Sequence, residues 1–287
     1  MASDPIQFPL RLRCELPEAS LGSGVSIRAM TADDRPRLLG IKSATLDQDG
    51  RLKSYVADKV DPLFSLMGPN VDRYDQLYSS NYVATVPSRQ EAKNLNLSFK
   101  LLARSCTSLW IGTSGDTNRV GHSRHFLEPP CYFGSEPLNF DAASVQEIAE
   151  LLSACRALED DKKFTVMVDI FLYAMSDAPR EESRCIELSV VLEMLLWPKA
   201  STELSYRFAL RLAKLAAKQL DESSKDWFAR GQQIYKTRSR LVHSGQDEKL
   251  AQTAGLIQET ARLLLAMYVR KPSLFHEASL DALCIAA

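Results

Sequence analysis

The chain has 287 residues, of which 45% are apolar and 25% charged, and its 35 basic and 36 acidic side chains leave a net charge of −1. This composition indicates a globular protein long enough for two domains, and it excludes a disordered chain. No apolar run reaches the roughly eighteen residues of a membrane span, and the first residues lack the pattern of a signal peptide, so we expect a cytoplasmic protein without a membrane partner.

Strands are predicted for most of the first 140 residues. Apolar side chains recur at every second position over residues 8–16 and again over residues 95–101. Such a two-residue period is typical of a half-buried strand. Shorter strand candidates lie at 82–86 and 108–112, and one or two helices are expected between residues 33 and 66. The pattern indicates a modest antiparallel sheet in this half of the chain.

The hydrophobic period lengthens to that of a helix near Asp141. Ser144 and Glu147 form a capping-box pair ahead of apolar residues at helical spacing, which predicts a helix over 144–158. Three prolines lie just upstream, so the domain boundary is predicted between residues 128 and 143. Further helices are predicted at residues 161–175, 181–196, 202–220, 224–242 and 247–270.

These patterns together predict the α+β fold class. A β-rich domain with an antiparallel sheet is expected over residues 1–140, and a helical domain over residues 141–287. No internal repeat and no low-complexity tract interrupts either half. We therefore expect two domains of different secondary structure in one chain.

The balanced net charge hides a strongly basic segment. Residues 207–243 contain nine basic and three acidic side chains, whereas residues 144–206 contain six and twelve. A positive surface of this kind is where an RNA backbone would bind. In the predicted helix 202–220, four basic residues at spacings of four, three and four run beside an apolar stripe. They are Arg207, Arg211, Lys214 and Lys218.

Two interpretations of this basic row remain open. It is either a solvated face of a bundle helix or one wall of an RNA groove. Arg211 is a special case, because it lies at the edge of the apolar stripe and is a candidate to pair inside the bundle with Glu187 or Glu193.

The segment at residues 235–245 combines an arginine and one of only four histidines in the chain. Arg238 could hold a phosphate and His243 could move a proton near neutral pH, which are the minimum requirements for cleaving RNA without a metal. On a continuous helix the two side chains would point about 140° apart. We therefore expect the helix to end near His243, with Gly245 in a left-handed conformation and the imidazole free to swing toward Arg238.

Three blocks of the helical half carry a family resemblance. They are IELSVVLEMLL at 186–196, LSYRFALRLAKLA at 204–216 and IYKTRSRLVHSG at 234–245. In this order they resemble the HEPN superfamily, specifically its Apea-like branch, over about residues 145–270. The resemblance implies an up-and-down bundle of four or five helices that forms a homodimer, so that two R-x4-H elements make one composite site. It further implies a metal-independent endoribonuclease in a toxin, phage-defence or stress-response role.

The resemblance assigns roles to individual residues. Arg238 and His243 take the catalytic positions, and Ser239 takes the polar position after the arginine. Apea-like sequences often end the element with His-Gly, whereas here Ser244 intervenes before Gly245. In the implied mechanism the 2′-hydroxyl of RNA attacks the neighbouring phosphate, with no cofactor and no metal. The first 140 residues resemble no family that we can name.

Three further residues of this segment are RNA-binding candidates beside the basic row: Tyr235, Lys236 and Arg240. Tyr235, one turn before Arg238, could stack on a base, although a tyrosine at this spacing is more often part of a bundle core. The implied partners are RNA and a second copy of the chain. In a toxin setting, an antitoxin or other regulatory partner would be added.

Other chemistries are less well supported. His122, His125 and Cys131 could begin a metal site, but no further ligand follows at a recognised spacing. The six cysteines include no CxxC pair, so buried free thiols are expected. Neither a G-x-S-x-G elbow nor a G-x-x-x-x-G-K-S/T phosphate loop is present. The alternative to an enzyme is therefore a non-catalytic HEPN module for dimerisation or RNA binding.

Overall fold

The structure is a computed structural model. It describes residues 5–10, 12–14, 18–31, 33–34, 38, 41–46, 52–57, 81–102, 111–114, 123–126, 138–176, 179–196 and 203–285. The chain divides into two compact units, Met1–Ser153 and Ala154–Ala287. The first contains the strands and the second is helical, so the predicted α+β class is confirmed.

Ten strands are described in the first unit. They are β1 (Ile6–Leu10), β2 (Leu12–Cys14), β3 (Glu18–Gly22), β4 (Val25–Ala29), β5 (Ile41–Leu46), β6 (Leu52–Ala57), β7 (Tyr82–Val86), β8 (Ile111–Ser114), β9 (Ser123–Phe126) and β10 (Leu138–Phe140). Six of them form one sheet in the order β3-β4-β7-β1-β8-β9, and its neighbouring strands are antiparallel. The strand predicted at 82–86 is confirmed as β7, and that at 8–16 is confirmed where the structure describes it, as parts of β1 and β2.

The strand predicted at residues 95–101 is wrong, because this segment is part of helix α1 (Arg89–Leu102). From Asn94 to Leu101 the helix is buried on every side, so Asn96 and Lys100 are as inaccessible as the apolar residues between them. Full burial removes the periodic exposure from which a helix is normally recognised. A start signal was nevertheless present, since the Ser88 hydroxyl accepts a hydrogen bond from the amide of Glu91, at 3.1 Å, in a capping arrangement.

Of the interval 33–66, in which one or two helices are expected, residues 35–37, 39–40, 47–51 and 58–66 lie outside the described part. Asp34 and Leu38 are helical, but β5 and β6 form an antiparallel pair between residues 41 and 57. Of the strand predicted at 108–112, residues 111–112 begin β8, and residues 108–110 lie outside the described part.

Helix α2 (Ala142–Ala157) spans the division between the two units. Its cap is Asp141, which accepts a hydrogen bond from the amide of Ser144 at 2.8 Å, so the helix starts earlier than the predicted Ser144 cap. Ile148 and Leu152 lie in the hydrophobic core of the sheet. The two compact units divide inside α2, after Ser153.

The second unit is a helical bundle. Its elements are α3 (Lys162–Ala174), α4 (Glu181–Leu196), α5 (Leu204–Leu220), α6 (Ser224–Ser244), α7 (Leu250–Arg270), a 3₁₀ turn (Pro272–Phe275) and α8 (Glu277–Ile285). The five helices predicted after residue 160 are confirmed to within three residues at each end. Helices α5 and α6 approach closely at Gly231, where an added Cβ would lie 2.8 Å from the Cα of Ala209.

Candidate functional site

Helix α6 ends where the sequence predicts. Gly245 adopts a left-handed conformation with φ of 71°, and its amide donates to the carbonyl of Leu241 at 3.0 Å. The hydroxyl of Ser244 donates to the carbonyl of Arg240 at 2.7 Å and also contacts that of Gln246 at 2.9 Å. The residue that departs from the His-Gly pattern therefore completes the last helical turn. The termination predicted at Gly245 is confirmed.

Arg238 and His243 lie on one continuous helix. Their separation of five residues turns the side chains about 140° apart. His243 is exposed in the last turn, whereas Arg238 has 28% of its side chain exposed and faces helix α4. The expected convergence of the two side chains within one chain is not observed, because the helix continues past the histidine.

Glu193 of α4 is the partner of Arg238. The Nε of Arg238 lies 3.1 Å from Oε1 of Glu193, and its Nη2 lies 3.4 Å from Oε2. The shorter contact is an ion pair without hydrogen-bond geometry, since Nε has no hydrogen-bond partner, and the longer one is a weak hydrogen bond. Burial raises the pKa of the Glu193 carboxyl, and the charge of Arg238 opposes that rise. The pair thus holds the arginine while leaving much of its donor capacity unused.

The remaining polar residues of the segment have different surroundings. Ser239 is half-buried and Lys236 is exposed. Arg240 pairs with Asp247 at 3.2 Å, and the amide hydrogen bond from Lys249 is the main cause that lowers the pKa of Asp247. A phosphate would have to compete with that carboxylate for Arg240. Sequence analysis did not identify Asp247, which lies in the turn after the helix.

Tyr235 packs within the bundle. Its ring lies 6.0 Å from that of Phe208, centroid to centroid, and the residue is half-buried. This contact agrees with the core interpretation rather than with an open stacking position.

The basic row on α5 is divided between surface and interior. Arg207 and Lys218 are exposed and Lys214 is half-buried, but Arg211 is only 3% exposed. Arg211 donates to the carbonyl of Leu196 at 3.1 Å and to Asp281 of α8 at 2.5 Å. Its predicted pairing inside the bundle is therefore correct in kind but wrong in partner, since neither Glu187 nor Glu193 is involved. Its buried position also removes it from the accessible RNA-binding candidates.

The three candidate metal ligands lie between residues 122 and 131. His122 and Cys131 lie outside the described residues, and of His125 only the backbone, in β9, is described. Across the part of the chain that the structure covers, no three His, Cys, Asp or Glu side chains cluster in a way that could hold a metal ion. Cys155 and Cys185 are buried free thiols, as expected, and burial raises the pKa of Cys185 to about 11.

Comparison of the chain with protein-family models, with curated proteins and with solved structures finds no match. Within the described ranges, none of the helices is long and apolar enough to cross a membrane. The functional interpretation therefore depends on the residues of the α4–α6 region and on the motif they contain.

Proposed function

We propose that the helical unit is a metal-independent endoribonuclease of HEPN type. The observation that carries this proposal is the end of α6, where an exposed His243 follows an Arg238 that is held by Glu193 but not fully hydrogen-bonded. An imidazole open to solvent and a guanidinium with free donors are the groups that RNA cleavage by acid–base chemistry requires. A toxin, phage-defence or stress-response role, with an antitoxin or other regulatory partner, is the setting we propose.

The active site we propose is composite. Because Arg238 and His243 diverge on one helix, His243 of one chain would meet Arg238 of a second copy. A two-fold axis near α6 would bring two such Arg–His pairs together, so that the two R-x4-H elements make one composite site. The functional unit is accordingly a homodimer.

The chemistry needs only the RNA and these side chains. The 2′-oxygen forms a bond to phosphorus, and the bond from phosphorus to the 5′-oxygen breaks. His243 accepts the proton of the 2′-hydroxyl or donates a proton to the leaving 5′-oxygen. Arg238 stabilises the negative charge that grows on the phosphorane oxygens. The products are a 2′,3′-cyclic phosphate and a 5′-hydroxyl, and DNA, which lacks the 2′-hydroxyl, is not cleaved.

Glu193 is the positioning residue in this scheme. A guanidinium has five N–H donors in a planar fork, and Glu193 engages one edge of it. The Nη1 group and one N–H of Nη2 have no partner in this pair and can bind a phosphate. The carboxylate of Glu193 therefore orients the guanidinium of Arg238 without using all of its N–H donors.

The second candidate is a non-catalytic module for dimerisation or RNA binding. It is favoured by one observation, the ion pair itself, because a carboxylate at 3.1 Å competes with phosphate for the same arginine. In this case Arg238 would be a structural residue of the α4–α6 contact.

RNA cleavage in EDTA separates the two candidates. We expect the wild type to cut a mixed-sequence RNA in EDTA and to leave the same DNA sequence intact, whereas His243→Ala and Arg238→Ala lose activity. His276→Ala is the matched control, because His276 is also an exposed histidine of this unit, and it should cut normally. RNA that is bound but intact under all conditions would leave the binding module as the function, whereas normal cutting by His243→Ala would overturn the catalytic assignment of His243.

Mixing the two inactive variants tests the composite site. A heterodimer of His243→Ala and Arg238→Ala chains keeps one Arg–His pair with both groups intact, so activity should return on mixing. If each variant is inactive and the mixture stays inactive although heterodimers form, the two groups do not act across chains.

A further inference from the structure

Tyr206 is an exposed aromatic residue with a braced ring. It lies in the first turn of α5 with 51% of the residue exposed. Its ring meets that of Phe228 of α6 edge to face, with centroids 5.5 Å apart and planes at 70°. Among the exposed large apolar residues of the described ranges, it alone has such a ring contact; the others are Val166, Tyr173, Val242 and Ile285.

The bracing prepares this ring for binding. An aromatic side chain has only two rotatable bonds, and an edge-to-face neighbour restricts them further. Little conformational entropy is then lost when a planar group stacks on the exposed part of the ring. Tyr206 has the character of a binding surface rather than of a core residue.

The charges around Tyr206 favour a polyanion. Arg207 is exposed in the same helical turn, and Lys225 is exposed one turn before Phe228. Helix α5 has no acidic residue in its first turn and no side-chain cap at Glu203, so its amide end adds further positive potential. Glu203 at this end and Asp226, beside Lys225 in the first turn of α6, are exposed acidic side chains, so the positive excess comes from the segment as a whole, in which residues 207–243 contain nine basic and three acidic side chains.

Phe228, which braces Tyr206, lies on the same side of α6 as Ser239 of the proposed cleavage motif. Phe228 and Ser239 are eleven residues, or three turns, apart, so they face one direction, and Ser239 adjoins Arg238. The rise of the helix places the Cα of Phe228 about 15 Å from that of Arg238. This distance corresponds to about four nucleotides at the 3.4 Å spacing of a stacked strand.

We propose that Tyr206, braced by Phe228, is a stacking subsite for one unpaired base of a bound RNA, about four nucleotides from the phosphate that meets Arg238. Arg207 and Lys225 contact the flanking phosphates. The distance of this stacking subsite from the cleaved phosphate rests on the proposed function, whereas the stacking of a base on Tyr206 does not.

The direct test measures RNA affinity in an uncut complex. Fluorescence anisotropy with a labelled, unstructured 12-nucleotide RNA is carried out in the His243→Ala background. Tyr206→Ala should weaken binding about fivefold or more, because one base–aromatic stack contributes about 1–3 kcal/mol. Tyr206→Phe should bind as the parent does. Tyr173→Ala, which removes another exposed tyrosine of the unit, is the matched control and should have no effect.

A single abasic nucleotide, moved along the RNA, locates the stacked base. With the parent protein one position should lose affinity, and with Tyr206→Ala that loss should disappear. Equal affinity at every abasic position in the parent protein would overturn the inference, whatever the stability of Tyr206→Ala. So would a Tyr206→Ala protein that binds the intact RNA as tightly as the parent.

Two further results keep this inference separate from the proposed function. If wild type never cuts RNA but the abasic effect is present, stacking stands and the ribonuclease proposal fails. If wild type cuts RNA but the abasic effect is absent, the ribonuclease proposal stands and the stacking inference fails. A Tyr206→Ala chain that changes from dimer to monomer in light scattering would identify the aromatic pair as a subunit contact, and would also overturn the inference.

Discussion

Arg211 and Arg238 belong to the same basic segment but lie in two different regions of the helical unit. Arg211, between α5 and α8, is 3% exposed and donates to a carbonyl and a carboxylate. Arg238, between α6 and α4, is 28% exposed, and the hydrogen bond that the structure describes for it is the weak one from Nη2 to Glu193. A buried arginine with good hydrogen bonds is part of the structure, whereas a partly exposed one with unused donors can still bind a ligand. Arg211 therefore belongs to the interior of the unit, where substitutions should change stability, whereas Arg238 lies where a ligand can still contact it.

The largest effect on the interior is expected for Gly231→Ala. Its new Cβ would lie 2.8 Å from the Cα and 3.0 Å from the Cβ of Ala209, so α5 and α6 must move apart. We expect a loss of about 3 kcal/mol in the free energy of unfolding, at the upper end of overpacking effects, because backbone cannot rotate away. Urea denaturation followed by circular dichroism measures it.

The control for this substitution is Gly255→Ala. No atom lies within 4 Å of a Cβ added to Gly255 in α7, so the gain in helix propensity should stabilise the protein by about 0.5–1 kcal/mol. Equal effects of the two substitutions would show that the α5–α6 contact is not specially close.

A smaller loss is expected for Arg211→Met. The carbonyl of Leu196 loses its donor from Arg211, while Asp281, with half of its side chain exposed, can be solvated by water. We expect a loss of about 1–2 kcal/mol, measured by urea denaturation, with RNA affinity unchanged. A Lys218→Met protein provides the contrast, since an exposed lysine should affect RNA affinity and leave stability within about 0.5 kcal/mol. If Arg211→Met weakens RNA binding as much as Lys218→Met, the assignment of Arg211 to the interior fails.

The smallest change in stability, with a specific change in activity, is expected for Glu193→Gln. Without the carboxylate, Arg238 is less firmly oriented, and cleavage should fall about tenfold or more. The folded state raises the pKa of Glu193 above its ordinary value of 4.5, so this group's contribution to stability is present below that value and is lost as pH rises through the folded pKa. As the pH rises from 4.5 through the folded pKa, the free energy of unfolding of Glu193→Gln should therefore increase relative to that of the wild type. Unfolding measured at a series of pH values checks this.

Glu187→Gln is the control for this substitution. Burial also raises the pKa of Glu187, so the same pH trend is expected, but without loss of cleavage because Glu187 does not contact Arg238. Loss of cleavage in both variants would mean that burial of charge on α4, rather than orientation of the arginine, is responsible.

The features of the fold that depend on interactions between neighbouring residues in the chain were predicted from the sequence. Gly245 ends α6 because a left-handed residue is needed there, and a glycine after a basic helical turn is visible in the sequence. Helix α1 was missed because its surroundings bury every face, which only the folded sheet can reveal. The predicted partner of Arg211 was wrong for a related reason. Glu193 was identified as a candidate for the wrong arginine, and Asp281 lies 70 residues from Arg211 on a short helix without a strong pattern.

The close approach of Gly231 to Ala209 also has a consequence for evolution. Neither position can accept a larger side chain unless the other or the helix spacing changes, so the two should vary together. Among distant relatives, small residues at both positions would mark the same helix crossing even after the arginine and histidine have been replaced. This coupled pair offers a way to recognise descendants of the fold that have lost the motif.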